Sequence, residues 1–516
     1  MKVYIDLAPI YPRGHQDCDC DCGDCDKHGS ALLRLSSAAL KGENVSLPGG
    51  KLQQANSLYT QQCTNANWLV CNPRGSGRLA VLDQEAFDLL AYFKNPASPE
   101  EVMQADTPWS SVKLREVLAL FYRLGFLHEE GLAPAGVGEK EEQTLTAWLH
   151  VTNACNLRCD YCYIQKTQEH MQADTGYKAI DAIFRSALKH HIPAIHLKYA
   201  GGEASLHMSS VMALHDYAVQ LAQQHGIALS ANLLSNGMAL SECAIENLQV
   251  RGIRVMISLD GVGEAHDRQR VLPNGQGSFK YVQRTITHLL EKGLVPSISV
   301  TVSQRNLDGL PELMRYLLQL ELPFTLNYYR DHVSVLSGRN LRFEDQEMIS
   351  AMRTAFQVIK EALPRYSLLG SLLDKATAQA PHTHTCSMGR NYLVIDQNGG
   401  IAKCQAQIKR RVTTIEHTDP LQAIREDREG VQNLAVDEKE GCRSCEWRYW
   451  CTGGCPLLTY QVTGRNDIRS PNCNIYKALI PDVLHLEALR LLAYQVPLLY
   501  ERETDNAHRE AQFVAE

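Results

Sequence analysis

The chain lacks any apolar run of the roughly 18 residues needed to cross a bilayer. Its opening, Met1-Lys2-Val3-Tyr4-Ile5-Asp6, has neither the hydrophobic core nor the small-residue cleavage site of a secretory signal. It also lacks an excess of positive charge. Against 51 Lys and Arg stand 58 Asp and Glu, a net charge of −7, which gives no general reason to expect a nucleic-acid partner. These absences lead us to expect a cytoplasmic protein that engages neither membrane nor nucleic acid. What is abundant is cysteine. In a 516-residue chain without an export signal, 17 cysteines gathered in tight clusters indicate metal ligation in a reducing compartment rather than a disulfide framework. Cys63, Cys71 and Cys243 stand apart and read as buried small hydrophobes. At this length one hydrophobic core is not enough, and roughly two to four structural units are expected.

The organising stretch is His150-Val151-Thr152-Asn153-Ala154-Cys155-Asn156-Leu157-Arg158-Cys159-Asp160-Tyr161-Cys162, a C-x3-C-x2-C loop with an aromatic just before the last thiol. Three thiolates on one short loop can hold three corners of a cubic iron–sulfur cluster, leaving the fourth iron open to a substrate or cofactor. A closed zinc site is the alternative, but it wants a fourth ligand and none is close by in the sequence. The loop resembles that of the radical SAM superfamily. The resemblance implies that Cys155, Cys159 and Cys162 ligate a 4Fe–4S cluster, that S-adenosylmethionine chelates the open iron, and that Tyr161 neighbours its adenine.

From Thr144 onward strands and helices alternate, with strands read near 147–152, 194–200, 228–234, 253–259, 296–302 and 324–329. Six such units imply parallel strands with crossover helices, an α/β partial (β/α)6 barrel over 144–335, followed by a helical linker over 336–380. In this class chemistry sits at the C-terminal strand ends. The second strand ends in Gly201-Gly202-Glu203, where residues without side chains let a ligand approach the backbone and a carboxylate can pair with an ammonium. The third ends in Ser235-Asn236, the fourth in Ser258, and Arg270 follows with a guanidinium suited to a carboxylate. By the same resemblance, Gly201, Gly202 and Glu203 hold the amino group of S-adenosylmethionine, and Ser235, Asn236, Ser258 and Arg270 hold its ribose and carboxylate. Taken singly, such residues are more often turn formers than ligands, and no catalytic residue is assigned.

Residues 1–58 form a Cys/Asp-rich segment and linker, the polar, glycine-containing linker being read over 40–66. Between His15 and His28, Cys18, Cys20 and Cys22 alternate with Asp and fall on one face of an extended segment, near Cys25. This suggests either a further metal site or an acidic, thiol-rich tail. Within 59–135, Trp68-Leu69-Val70-Cys71 and Arg78-Leu79-Ala80-Val81-Leu82 flank a Pro-Arg-Gly-Ser-Gly hairpin turn. Ser98-Pro99-Glu100-Glu101 opens a second helix as a capping box, and a third runs from Ser111 to Arg123 with Gly125 at its end. Strands plus three helices resemble the winged-helix-like RiPP recognition element of peptide-modifying radical enzymes, which captures a leader peptide as an added strand. A DNA-binding winged helix or a purely structural domain is the alternative, although Arg74 and Arg78 are few for a phosphate-binding surface.

Over 381–480 seven thiols recur: Cys386, Cys404, Cys442, Cys445, Cys451, Cys455 and Cys473. Their spacing resembles the SPASM domain. The resemblance implies that Cys442, Cys445, Cys451 and Cys473 complete one auxiliary 4Fe–4S cluster, while Cys386, Cys404 and Cys455 hold another that is one ligand short. Either His382 or His384 completes it, or its iron is open to substrate; a zinc ribbon over Cys442 to Cys473 is the alternative. Residues 481–516 read as a C-terminal helix, broken at Pro497, and a charged tail. Together the resemblances imply a radical SAM/SPASM peptide maturase with three 4Fe–4S clusters. It would take hydrogen from a ribosomally made precursor peptide, bound through its leader, and form a thioether or carbon–carbon crosslink, with flavodoxin or ferredoxin as electron donor. One rival is a sulfatase maturase making formylglycine, which uses an aspartate right after the second SPASM cysteine; here Gln405 stands there and cannot take a proton. Another is a non-catalytic iron–sulfur electron carrier, which has no need of Gly201-Gly202-Glu203 or Arg270.

Overall fold

The structure, a computed structural model, describes residues 1–6, 47–104, 111–132, 137, 143–238, 240–331, 340–495 and 498–499. Cys18, Cys20, Cys22 and Cys25 lie outside the described residues, as do Pro497 and the charged tail.

The N-terminal unit is made from strands β1 (Lys2–Tyr4), β2 (Leu52–Gln54), β3 (Tyr59–Thr64), β4 (Asn67–Cys71), β5 (Leu79–Asp83) and β6 (Leu127–Glu129), with helices α1 (Gln84–Tyr92), α2 (Pro99–Gln104) and α3 (Ser111–Arg123). The expected hairpin is β4 paired antiparallel with β5. The capping box is real: the Ser98 amide donates to Glu101 Oε2 at 2.8 Å and the Glu101 amide donates to Ser98 Oγ at 3.1 Å. Two strands fall inside the stretch read as linker. In β3, Thr60, Gln62 and Thr64 are exposed while Tyr59, Gln61 and Cys63 are half-buried, so this strand carries no hydrophobic run that would announce it.

The central sheet contains β7 (Thr144–Thr152), β8 (Ala194–Gly201), β9 (Ala228–Ser235), β10 (Arg254–Ser258), β11 (Ser297–Val302) and β12 (Phe324–Tyr328). Each is followed by a helix: α4 (Ala173–Lys189), α5 (Met208–His225), α6 (Glu242–Val250), α7 (Phe279–Glu291), α8 (Leu310–Gln319) and α9 (Asp345–Glu361). All six strands pair in parallel, in the spatial order β12-β11-β10-β9-β8-β7. Every residue of β7 is buried, as a strand covered on both faces requires. The helices close the outer face through stripes such as Val282, Ile286 and Leu289 of α7.

The sheet does not stop at β7. Strand β13 (Tyr392–Ile395) pairs in parallel with it, in the register Tyr392↔Thr146 to Ile395↔Leu149, and β14 (Gly400–Ala402) and β15 (Thr413–Thr414) follow antiparallel. The thiol-rich C-terminal part therefore shares the barrel's own sheet. Helix α10 (Cys473–Tyr494) packs against α9 and against β3, β4 and β5, and β16 (Leu498–Leu499) lies beside β1. The N-terminal sheet thus runs β16-β1-β5-β4-β3, with β3 at one edge. Of the solitary thiols, Cys71 is fully buried and Cys63 half-buried, but Cys243 is exposed. That corrects the reading of Cys243 as a core residue: α6 turns Ala244, Ile245 and Leu248 inward, and position 243 falls outside that stripe.

Candidate cluster and cofactor site

Strand β7 delivers its chain directly into the cysteine loop, and β8 crosses close beside it. The Gly202 amide donates to the Thr152 carbonyl at 2.6 Å and the Glu203 amide to the Ala154 carbonyl at 2.8 Å. A Cβ on Gly201 would stand 2.4 Å from the Thr152 oxygen, and one on Gly202 2.3 Å from the Ala154 oxygen. No side chain fits there, so the two glycines are what allow Gly201-Gly202-Glu203 to lie against the loop. The Glu203 carboxylate, 2% exposed, accepts from Ser205 N at 3.1 Å, Ser235 Oγ at 2.9 Å and Asn236 N at 2.6 Å. The Asn236 amide in turn donates to Asn156 Oδ1 at 2.7 Å and lies 3.7 Å from Cys155 Sγ. The ends of β7, β8 and β9 are therefore one hydrogen-bonded unit around Cys155.

A second group forms at the end of β10. Asp260, fully buried, accepts the Tyr161 hydroxyl at 2.6 Å and the Thr301 amide at 2.8 Å, while its carbonyl accepts from Asn306 at 2.6 Å. Arg270 lies 3.6 Å from Asp260, donates to the Tyr161 hydroxyl, and keeps a buried Nε with no partner among the described residues. Burial works against its charge, but the Cys159 thiol, Tyr161 and Asp260 outweigh that and hold the guanidinium protonated. The loop is pinned here as well, by Arg158 N to Val271 O at 2.7 Å, Asp160 N to Gln269 O at 2.9 Å and an ion pair between Arg305 and Asp160. Asp260 was missed as a site residue. Its position at the end of a strand, next to Ser258-Leu259, was a signal, but its role depends on Tyr161 and Thr301 arriving from other elements. Ser258 is half-buried opposite Ser299, and among the described residues no side-chain hydrogen bond ties it to either group.

The three loop thiols lie near one another. Burial pushes Cys159 up to about 12 despite the opposing Arg270, and Cys155 is raised chiefly by burial, with Cys162 acting on both. Lys166 Nζ lies 2.8 Å from Cys162 Sγ, a second cation that sequence reading missed. Coordination deprotonates a thiol outright, so cations beside these sulfurs suit a bound state of thiolates.

In the C-terminal part, Cys442, Cys445, Cys451 and Cys473 line a single cavity, together with Trp447, Arg469 and Lys477. Burial pushes Cys442 up to about 11 and Cys451 to about 12. Cys386, Cys404 and Cys455 gather separately around Met388, Val431 and Leu457. Of the two histidines considered for this set, His382 Nδ1 lies 3.1 Å from the Ala380 carbonyl, and the His384 ring lies against Arg390 at 3.0 Å. Gln405 accepts the Tyr392 hydroxyl at 3.1 Å. Among the described residues no three Cys, His, Asp or Glu side chains converge on a point as ligands of one metal ion would. Arg74, considered for a phosphate-binding surface, instead donates to the Ser444 carbonyl at 2.6 Å. Trp148, Ala200, Tyr392 and Val394 pack together as a separate apolar cluster, and among the described residues the buried Trp148 indole N–H has no acceptor.

Residues 149–317 match the family described as the Radical SAM superfamily. These residues form a radical SAM domain. The chain is 26% identical to the sporulation killing factor maturation protein SkfB of Bacillus subtilis, over 33% of this chain and 38% of that protein. It is 21% identical to PqqA peptide cyclase of Granulibacter bethesdensis, over 64% of this chain and 86% of that one. The structure of anSMEcpe with bound AdoMet and Cp18Cys peptide superposes with a TM-score of 0.54 at 18% identity, covering 66% of this chain and 98% of that one, a likeness of fold. The chain spans under two fifths of SkfB. The donor set suits an iron–sulfur cluster and S-adenosylmethionine in the radical SAM domain: three neighbouring thiols, a glycine cradle open to backbone approach, and an unspent guanidinium N–H. Among the described residues no helix is long and apolar enough to cross a membrane.

Proposed function

We propose that this chain is a radical S-adenosylmethionine enzyme that takes hydrogen from a ribosomally made precursor peptide and forms a thioether or carbon–carbon crosslink. The observation that carries the reading is the hydrogen-bonded unit of Glu203, Ser235 and Asn236 against Cys155, because an electron carrier needs a thiol cage but not a carboxylate cradle beside it. When bound and reduced, the cluster with S-adenosylmethionine supplies a carbon radical able to take hydrogen from an unactivated carbon.

The chain's own work is orientation and exclusion of water. Cys155, Cys159 and Cys162 hold the cluster. Gly201, Gly202 and Glu203 would receive the amino group of S-adenosylmethionine, and Ser235, Asn236, Ser258 and Arg270 its ribose and carboxylate, the carboxylate suiting Arg270. Arg270 is kept aimed by Asp260 and Tyr161. Cys442, Cys445, Cys451 and Cys473 would hold one auxiliary cluster, and Cys386, Cys404 and Cys455 a second, and such clusters would supply a place for an electron or a substrate thiolate.

A peptide substrate is supported by the names of the relatives, SkfB and PqqA peptide cyclase. We place the leader on the N-terminal sheet. The sheet runs β16-β1-β5-β4-β3, and we assign β3, one of its two edge strands among the described residues, to receive an added strand. At that edge Tyr59 meets Trp447 with ring centroids 4.9 Å apart, two residues from Cys445. Formylglycine formation is disfavoured by Gln405, an amide already engaged by Tyr392. We assign flavodoxin or ferredoxin as the electron donor and the cytoplasm as the compartment.

The test is anaerobic reconstitution, reduction and incubation with S-adenosylmethionine and the short peptides encoded beside the gene. Formation of 5′-deoxyadenosine with a peptide lighter by about two hydrogens is the expected result. No 5′-deoxyadenosine from protein with its full iron content would refute the enzyme reading.

A further inference from the structure

The turn that joins the two C-terminal thiol sets is unusual in its backbone. Between Cys451 and Cys455, Thr452, Gly453 and Gly454 have φ of 46°, 77° and 67°, three consecutive left-handed residues. They coil around one side chain. Lys439 is 2% exposed, and its ammonium donates to the Thr452 carbonyl at 2.7 Å. A Cβ on Gly453 would stand 2.6 Å from Lys439 Cδ, so the turn leaves room for that stem by omitting a side chain.

Lys439 thereby sits at the turn that links Cys451 of one set to Cys455 of the other. Its carbonyl accepts from the Cys442 amide at 3.1 Å. The Thr452 carbonyl that receives its ammonium also receives Thr385 Oγ1 at 3.1 Å, and Thr385 is next to Cys386. Burial pulls the Lys439 ammonium below its ordinary value, the sulfurs of Cys442, Cys386, Cys451 and Cys455 pull the other way, and among the described residues no carboxylate pairs with it. An ammonium buried without a counter-charge is strongly disfavoured. Here the counter-charge available is sulfur, from both sets at once.

We propose that Lys439 is a positioning residue that serves as the shared counter-charge of the two auxiliary clusters and raises the reduction potential of both. The proposal rests on the cluster reading above. A fixed cation in a low-dielectric site favours the extra electron of a reduced cluster, and the effect reaches each cluster near it. Placed between the two sets, one lysine keeps their potentials in step, which suits a pair that passes an electron from one to the other.

The test is an EPR-monitored redox titration of the full-length reconstituted protein. Lys439→Gln keeps a donor for Thr452 and removes the charge, and Lys439→Arg keeps both. In Lys439→Gln the oxidised-to-reduced ratio of each auxiliary cluster at a fixed potential is expected to rise about tenfold, a fall of about 59 mV for a one-electron couple. Lys439→Arg is expected to restore it. The cluster whose signal responds to S-adenosylmethionine is expected not to move. Unmoved auxiliary potentials at full iron content overturn the proposal and leave the cluster reading intact. Loss of auxiliary iron from both variants also overturns it, because the side chain is then needed for packing alone. Wild-type protein that binds about four irons rather than about twelve overturns the cluster reading and this proposal together.

Discussion

Gly202→Ala tests whether the glycine pair is what seats the carboxylate cradle on the cysteine loop. The new methyl would stand 2.3 Å from the Ala154 oxygen and 2.6 Å from the Asn153 oxygen, both backbone atoms that no rotamer change can move aside. Relief requires the strand ends to separate, with loss of the bonds from Gly202 N to Thr152 O and Glu203 N to Ala154 O. Two backbone hydrogen bonds are worth about 1 kcal/mol each, and overpacking adds about 1–3 kcal/mol, for about 3–5 kcal/mol in all. For a domain of this size the apo protein should melt about 10 °C lower. Ser235→Ala is the comparison, because it removes one of three donors to Glu203 and leaves the strand ends in place, at a cost of about 1 kcal/mol. Differential scanning calorimetry gives the melting shift, and EPR of the reconstituted protein with and without S-adenosylmethionine reports whether the cofactor still perturbs the first cluster. A Gly202→Ala protein that melts with the wild type and keeps that spectral response would refute the claim that the close approach organises the site.

Iron counting on Cys159→Ala, Cys445→Ala and Cys386→Ala should show each losing about four irons while the others stay; loss of all iron from any one would contradict three separate sites. Burial pushes the Asp427 carboxyl up, but hydrogen bonds from Arg410 and Lys403 outweigh it and hold the group at about 2. A carboxyl depressed below its unfolded value of about 3.9 contributes stability above that pH, about 1–2 kcal/mol, which is lost as pH falls from about 4 to about 2. Urea melts of Asp427→Asn should lie below wild type by that amount at pH 7 and converge with it near pH 2; parallel curves would sink the assignment. Arg490 is buried between Glu487 at 2.6 Å and Asp6 at 2.5 Å. Arg490→Met should cost about 3–5 kcal/mol by stranding Glu487, and Arg490→Met/Glu487→Leu should recover most of it, as read by chemical denaturation.

The barrel strands were legible because strand and helix patterns alternate regularly along the chain, and β7 through β12 fall within a few residues of their expected places. The thiol sets were legible as spacings. What stayed hidden depends on residues far apart in the chain. Asp260 gains its role from Tyr161 and Thr301, and Lys439 gains its setting from the Thr452 turn, neither of which a local pattern reveals. Strand β3 was hidden for the opposite reason: its edge position lets Thr60, Gln62 and Thr64 stay polar. Cys243 misled because a lone cysteine carries no sign of which side of a helix it occupies, and α6 turns it outward.

The pairing of β13 with β7 has a practical meaning for anyone dissecting this chain. A cut near residue 380 would look, from the sequence, like the removal of an appended module. It would instead strip a hydrogen-bonded neighbour from the strand that leads into Cys155, leaving the edge of a parallel sheet bare to solvent and to other chains. The strand that leads into the Cys155 loop and the strand that precedes Cys404 are thus neighbours in one sheet. Their separation is fixed by backbone register, and neither can be studied as an independent part.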